Sequence, residues 1–83
     1  MKQLIMYGAN WCGDCRRAKR FLDENHVAYL EIDTEIDLLA IEKVKEINGG
    51  VGSIPVIIFP DGSHLTEPSN KELRAKLESL AIL

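Results

Sequence analysis

Hydrophobic and polar positions along the chain follow two alternating patterns. Leu4-Ile5-Met6-Tyr7 is an unbroken apolar run closed by Gly8, Ala9 and Asn10, which is how a strand buried on both faces reads. From Cys15 onward Ala18, Phe21 and Leu22 recur at helical spacing, while Arg16, Arg17, Lys19, Arg20, Asp23 and Glu24 fill the opposite side. This pattern predicts an amphipathic helix entered through the cysteine pair. Val27 to Asp33 alternates loosely and is rich in strand formers, so a second strand follows within a short β-α-β unit. Such crossovers are right-handed and place their strands parallel.

Thr34 with Asp37 three residues on reads as a weak capping box, and Leu38, Ile41, Val44 and Ile47 then trace one stripe as far as Asn48 and Gly49. The spacing predicts a second helix over about 35–48. Gly49, Gly50, Val51 and Gly52 make a loop before Ile54-Pro55, and Val56 to Phe59 is the β-branched run of a buried strand. Asp61-Gly62 predicts a hairpin turn into a short strand at His64 to Thr66. Ser69 with Glu72 forms a stronger capping box, and Leu73, Leu77 and Leu80 give the stripe of a last helix. The expected order is β-α-β-α-β-β-α, an α/β fold without repeats or linkers.

Length and charge narrow the function. The 83 residues are expected to form one domain, 1–83, burying only about 60–65% of the surface of the unfolded chain. A hydrophobic content of 46% suffices for one small core. The net charge of −3 argues against nucleic acid, whose phosphates require a basic stripe. Lys2 precedes the first apolar run without a cleavage site behind it, so no signal peptide is expected. No apolar stretch approaches the ~20 residues that cross a bilayer, and no membrane association is expected. Two cysteines are too few for a secreted disulfide framework, which points to a reducing, cytoplasmic setting.

The chemistry sits in Cys12-Gly13-Asp14-Cys15, between a strand and a helix. A thiolate at Cys12 faces the free N–H groups and the positive dipole end of that helix, which favour the anion. Arg16 and Arg17 add positive charge, whereas Asp14 opposes a thiolate. Two intervening residues at a helix start let Cys15 reach back and close an intramolecular disulfide. Cys12 is therefore expected to be the more exposed and reactive sulfur, with Cys15 shielded by the first turn. Two other readings compete. A structural zinc site requires four ligands, and only His26 and His64 are available to join the pair; alternatively both cysteines are inert core residues.

Neighbouring residues carry weaker signals. Trp11 reads either as a core or edge aromatic or as a shield for the Cys12 thiol against which a docked substrate packs. Arg16, Arg17, Lys19 and Arg20 read first as a solvated helix face, and second as steering charge for substrate. His26 and His64 read as surface or strand-end residues, since neither adjoins the cysteines or an acidic partner.

Trp11-Cys12-Gly13-Asp14-Cys15 after the first strand, Ser53-Ile54-Pro55 before the third and Asp61-Gly62 in the hairpin resemble the glutaredoxin branch of the thioredoxin superfamily. Cys15-Arg16-Arg17 and Leu65-Thr66-Glu67-Pro68-Ser69 are most similar to the mycoredoxin-like short redoxins. The resemblance covers essentially the entire chain. It implies a thioredoxin fold: a four-stranded mixed sheet with the first strand central beside the third, and three helices on its two faces. It also implies a cis Ile54-Pro55 bond opposite Cys12, whose backbone pairs with an extended substrate. Two features depart from the family pattern. Asp14 replaces a common aromatic residue, and Glu67-Pro68-Ser69-Asn70 stands where glutathione-dependent members carry a Gly-Gly-Ser/Thr-Asp segment.

The expected function is reduction of protein disulfides, or of mixed disulfides between proteins and a low-molecular-weight thiol. Cys12 attacks and Cys15 resolves; Trp11, Asp14, Arg16, Ile54, Pro55 and Ser69 are the expected substrate-binding residues. No bound cofactor or metal is expected, and the chain is expected to be a monomer. The reductant is a small thiol or a thioredoxin reductase. A thiol of the mycothiol or bacillithiol type fits better than glutathione, because Pro68 removes an N–H donor and neutral Asn70 stands where an acid would pair with the γ-glutamyl ammonium. Glu67 remains an alternative source of that carboxylate. Other readings are a dedicated electron donor recharged by a thioredoxin reductase and an iron–sulfur module, the latter needing a partner and added thiols to complete four sulfur ligands.

Overall fold

The computed structural model describes residues 3–83; Lys2, the basic residue ahead of the first apolar run, lies outside them. The elements run β1 (Leu4–Gly8), α1 (Gly13–Glu24), β2 (Tyr29–Asp33), α2 (Leu38–Ile47), β3 (Val56–Ile58), β4 (His64–Thr66) and α3 (Asn70–Ser79). The strands form one mixed sheet in the order β2-β1-β3-β4. β1 pairs in parallel with β2, from Leu4 opposite Tyr29 to Gly8 opposite Asp33. β1 pairs antiparallel with β3, and β3 with β4. The expected element order and central β1 are present.

Alternation along the strands sorts the core into two layers. Leu4, Met6 and Ile57 pack with Ala18, Phe21 and Leu22 of α1 and with Leu73 and Leu77 of α3. Tyr7 and Val56, with Ile5 and Ile58 alongside, pack instead with Ala40 and Val44 of α2, and Cys12, Cys15 and Ile54 belong to this second cluster. The cysteines therefore sit on the α2 side of the sheet.

Several boundaries differ from the sequence pattern. α1 begins at Gly13 rather than Cys15, with Cys12 as its N-cap. β2 starts at Tyr29, not Val27, because the Val27 amide closes the end of α1 by donating to the Leu22 carbonyl at 2.9 Å. α2 is capped by Asp37, whose carboxylate accepts the Leu39 amide at 3.1 Å, and not by Thr34. Thr34 is buried and spends both its amide, at 2.9 Å, and its hydroxyl, at 3.3 Å, on the Gly8 carbonyl. Leu38 consequently lies at the helix entrance in solvent, while the buried stripe is Ala40 and Val44.

The other local signals are present as expected. Gly62, at φ 90°, supplies the left-handed residue of the hairpin and donates to the Phe59 carbonyl at 2.9 Å. The Ser69–Glu72 capping box is complete in both directions.

Candidate active site

β1 ends at Gly8, and the chain turns through Ala9–Trp11 so that the Cys12 amide donates to the Ala9 carbonyl at 3.2 Å. Cys12 keeps an extended backbone while its carbonyl accepts the Arg16 amide at 3.0 Å, the behaviour of a helix cap. Its Sγ takes the place of a capping oxygen and accepts the Cys15 amide at 3.2 Å. A free N–H at the positive end of α1 is thus aimed at the Cys12 sulfur, an arrangement that favours negative charge there.

Cys15 lies one turn in, both cysteines are free thiols, and they are 8% and 3% exposed respectively. The expected ordering of exposure is present but narrow. Burial pushes the Cys15 thiol up to about 12, and the hydrogen bond and charge of Cys12 push in the same direction, as does the charge of Asp14. Cys15 is therefore a protonated thiol at neutral pH. It rests on Gly8, where an added methyl would stand 3.0 Å from Sγ, so the bare strand end creates the room for the second sulfur.

The Ile54–Pro55 peptide bond is cis and both residues are buried. The three successive carbonyls of this segment have three different partners. Ser53 O accepts Asn48 Nδ2 at 3.0 Å, Ile54 O accepts the Cys12 thiol at 3.8 Å, and Pro55 O accepts the Glu67 amide at 2.9 Å. Asn48, the C-cap of α2, also accepts the Thr66 hydroxyl at 2.7 Å and so ties the segment to β4. The segment facing Cys12 is clamped on both sides.

The remaining expected site residues are scattered around this centre. Trp11 is 66% exposed, which removes its core reading, and its indole N–H donates to Glu35 Oε1 at 2.8 Å. Arg16 folds back to donate to the Asn10 carbonyl at 2.8 Å. Arg17 bridges helices, donating to Asn70 Oδ1 at 2.7 Å and to the Pro68 carbonyl at 2.9 Å, with Asp14 at 3.6 Å. His26 follows α1 and His64 opens β4, and neither is among the partners of the cysteines. Among the described residues, no three His, Cys, Asp or Glu side chains come together to hold a metal ion.

The glutaredoxin family model matches residues 4–65. The chain belongs to the glutaredoxin family. It is 45% identical over 78 residues to a glutaredoxin-like protein of Mycobacterium tuberculosis, covering 94% of this chain and 93% of that one. It is 33% identical over 81 residues to mycoredoxin 1 of Corynebacterium glutamicum, covering 98% of this chain and all of the relative. Among solved structures, a glutaredoxin from Archaeoglobus fulgidus superposes with a TM-score of 0.76 at 30% identity, over 90% of this chain and 85% of that one. The protein is a glutaredoxin-like thiol–disulfide oxidoreductase with a thioredoxin fold.

In this glutaredoxin the α3 end of the site opens into a cavity of about 400 Å³, lined by Asp14, Arg17, Glu67, Ser69, Asn70 and Glu72. Three of the lining groups are carboxylates, and the single guanidinium is already engaged by Asn70, Pro68 and Asp14. The Ser69 amide is taken by Glu72 Oε1 at 2.9 Å. Sequence pattern misses Asn48 and Gly8 as site residues, and reads Arg17 only as added positive charge without its tie to α3. Asn48 reads only as a helix stop and Gly8 only as a strand end. The roles of Arg17, Asn48 and Gly8 depend on partners 53, 18 and 7 positions away respectively, which no local pattern encodes.

Proposed function

We propose that this glutaredoxin reduces mixed disulfides between proteins and a low-molecular-weight thiol, with Cys12 as nucleophile and Cys15 as resolving thiol. The observation that carries the reading is the Cys15 amide donating to Cys12 Sγ at 3.2 Å. The Cys12 thiolate attacks one sulfur of the disulfide, and the other sulfur leaves with the bonding electron pair and takes up a proton. Cys12 is then held in a mixed disulfide. A second molecule of the small thiol attacks that disulfide, or Cys15 gives up its proton and attacks Cys12 Sγ, closing the Cys12–Cys15 bond and expelling the remaining thiol. Capture by Cys12 removes its charge and hydrogen bond, two of the influences that hold Cys15 protonated. Resolution is thereby favoured only after the first exchange. Regeneration of the dithiol consumes two reducing equivalents from the small thiol or a reductase.

Trp11, Asp14, Arg16, Ile54, Pro55 and Ser69 border the substrate in this reading. The α3 cavity holds the small thiol, and its chemistry favours a hydroxyl-rich thiol over glutathione, uncharged mycothiol first and bacillithiol, whose malyl group carries carboxylates, second. A γ-glutamyl carboxylate would meet Glu67 and Glu72 beside an Arg17 that is already paired. Losing one charge-assisted contact costs ~1.5–3 kcal/mol, roughly a ten- to hundredfold loss of affinity. The similarity to mycoredoxin 1 supports the same choice. No helix among the described residues is long and apolar enough to cross a membrane; a chain with only two cysteines suits the reducing cytoplasm, and a monomer is the proposed state. The test compares steady-state reduction of a protein mixed disulfide with glutathione, mycothiol, bacillithiol and a thioredoxin reductase system at matched concentrations. Mycothiol or bacillithiol is expected to sustain the highest kcat/KM; saturation by micromolar glutathione with a higher rate overturns the thiol assignment.

A further inference from the structure

Four large apolar side chains stand in solvent on the loop after β1 and at the turn into α2. Trp11, Ile36, Leu38 and Leu39 are 66%, 82%, 73% and 81% exposed. The fold brings them together through the parallel register of β1 and β2, which sets Gly8 beside Asp33 so that the loops leaving both strands emerge side by side. The amide and hydroxyl of Thr34 fasten the second loop to the Gly8 carbonyl, and Glu35 Oε1 holds the Trp11 indole at 2.8 Å.

The turn that displays these residues is closed by its own hydrogen bonds. Asp33 Oδ1 accepts the Glu35 amide at 2.8 Å, and the Asp33 carbonyl accepts the amides of Ile36 at 3.2 Å and Asp37 at 2.9 Å. The next residue after Leu39, Ala40, is buried in the same cluster as Cys12 and Cys15. None of the four exposed side chains is required by the core.

We propose that Trp11, Ile36, Leu38 and Leu39 form the docking surface for the polypeptide half of the disulfide, receiving a segment with apolar residues next to its oxidised cysteine. The inference rests on the exchange reading above and adds the class of protein substrate. Cys12 and Cys15 are the only cysteines in the chain, so every disulfide this enzyme exchanges must come to them. The surface is continuous with that point of contact, since Trp11 immediately precedes Cys12.

The two flanks of Cys12 differ in chemistry as the two halves of a mixed disulfide do. The charged cavity at α3 suits a small polar thiol, and the apolar shoulder at α2 suits a polypeptide. Size separates a transient substrate from a second copy of the chain. Four such side chains present roughly 500 Å² of apolar surface, short of the ~800 Å² per partner of a stable interface but suited to brief redox encounters. An enzyme that must release its reduced product gains from the smaller contact.

The experiment uses the pre-reduced full chain in single turnovers, so no choice of physiological reductant enters. Three oxidants are compared by acid quench and chromatography: bis(2-hydroxyethyl) disulfide, a cysteine peptide with Leu and Ile flanks carried as its 2-mercaptoethanol mixed disulfide, and the same peptide with Ser flanks. The native chain is expected to react about tenfold faster with the apolar peptide than with the Ser peptide. The double variant Ile36→Gln, Leu39→Gln is expected to lose that preference while reacting with bis(2-hydroxyethyl) disulfide at the native rate. Equal rates with both peptides in the native chain, or a preference retained in the variant, overturn the docking surface. Failure to react with any oxidant overturns the exchange reading instead. Sedimentation gives a final arm: a native dimer that the double variant converts to a monomer assigns the surface to a second copy and also overturns the proposal.

Discussion

Gly8 and Cys15 are packed so closely that a methyl group on Gly8 would stand 3.0 Å from Cys15 Sγ and 3.3 Å from its Cβ. The sulfur belongs to a side chain anchored in the first turn of α1 and buried against Tyr7 and Ala9, so it has little room to yield. Gly8→Ala is expected to destabilise the protein by about 1–3 kcal/mol through overpacking and to slow closure of the Cys12–Cys15 disulfide. Chemical denaturation and the rate of disulfide closure after rapid mixing with an oxidant check both effects. Native stability in the variant would mean that α1 shifts to accommodate the methyl.

Alkaline titration reads the environment of Cys15. Burial is the largest cause of its rise from 9.0 to about 12, followed by the hydrogen bond to Cys12. Cys12→Ser removes the neighbouring thiolate charge, and the Cys15 ultraviolet thiolate signal is expected to move down in pH while staying above the range of a free cysteine. In the native chain Cys12 is expected to alkylate much faster than Cys15 near neutral pH. The sign for stability follows from proton counting. Between about 9 and 12 the unfolded chain has lost the Cys15 proton and the folded chain has kept it, so stability is fully present below 9 and falls as pH rises through that window. Denaturation midpoints of the native chain and Cys15→Ala across this range are expected to show a shallower decline in the variant.

Asp14 places its carboxylate where it raises the Cys15 thiol and stands 3.6 Å from Arg17. Asp14→Asn is expected to move the Cys15 titration to slightly lower pH, because Asp14 is the smallest of the influences acting there. It also releases Arg17 toward the α3 cavity. A ligand carrying a carboxylate should then bind more tightly, so the KM for glutathione is expected to fall severalfold in the variant. An unchanged KM would show that Asn70 and Pro68 hold the guanidinium without help from Asp14.

Asn48 is expected to be a positioning residue, acting on Cys12 through the segment it holds. Asn48→Ala removes the donor to Ser53 O and the acceptor for Thr66, at a cost of about 1–3 kcal/mol. With the clamp gone, Ile54 O is free to leave Cys12 Sγ, so Cys12 alkylation should accelerate while kcat/KM for disulfide reduction falls. Cys15 alkylation is the control. A parallel rise at both cysteines would indicate global opening rather than a local release.

Local chemistry made much of this fold readable in the sequence. The apolar run at β1, the amphipathic stripe of α1 and the Ser69–Glu72 box each encode their element within a few residues. The start of α2 was not readable, because Asp37 reads as the third-position partner of a Thr34 capping box and a tertiary contact makes it the cap instead. Thr34 is drawn to the Gly8 carbonyl across the β1–β2 pair, leaving Asp37 to cap. The same contact explains why Leu38, apparently part of the stripe, faces solvent. In the site, Cys12 and Cys15 were legible from spacing, and Pro55 from family likeness. The role of Asn48 and the α3 partners of Arg17 were not, since each depends on a hydrogen-bonding partner on another element.

The sheet divides the interior into a side that holds the fold and a side that holds the sulfurs, and this partition bears on how such a protein can change. Leu22, Leu73 and Leu77, all fully enclosed, meet across the face away from the cysteines. Their packing can absorb the cost of unfavourable substitutions elsewhere without displacing Cys12. The residues proposed above to select the thiol and the target, such as Glu67, Asn70 and Leu39, are exposed and contribute nothing to that packed layer. Substitution at such exposed positions would therefore retune the choice of reductant or client while leaving the packed scaffold intact.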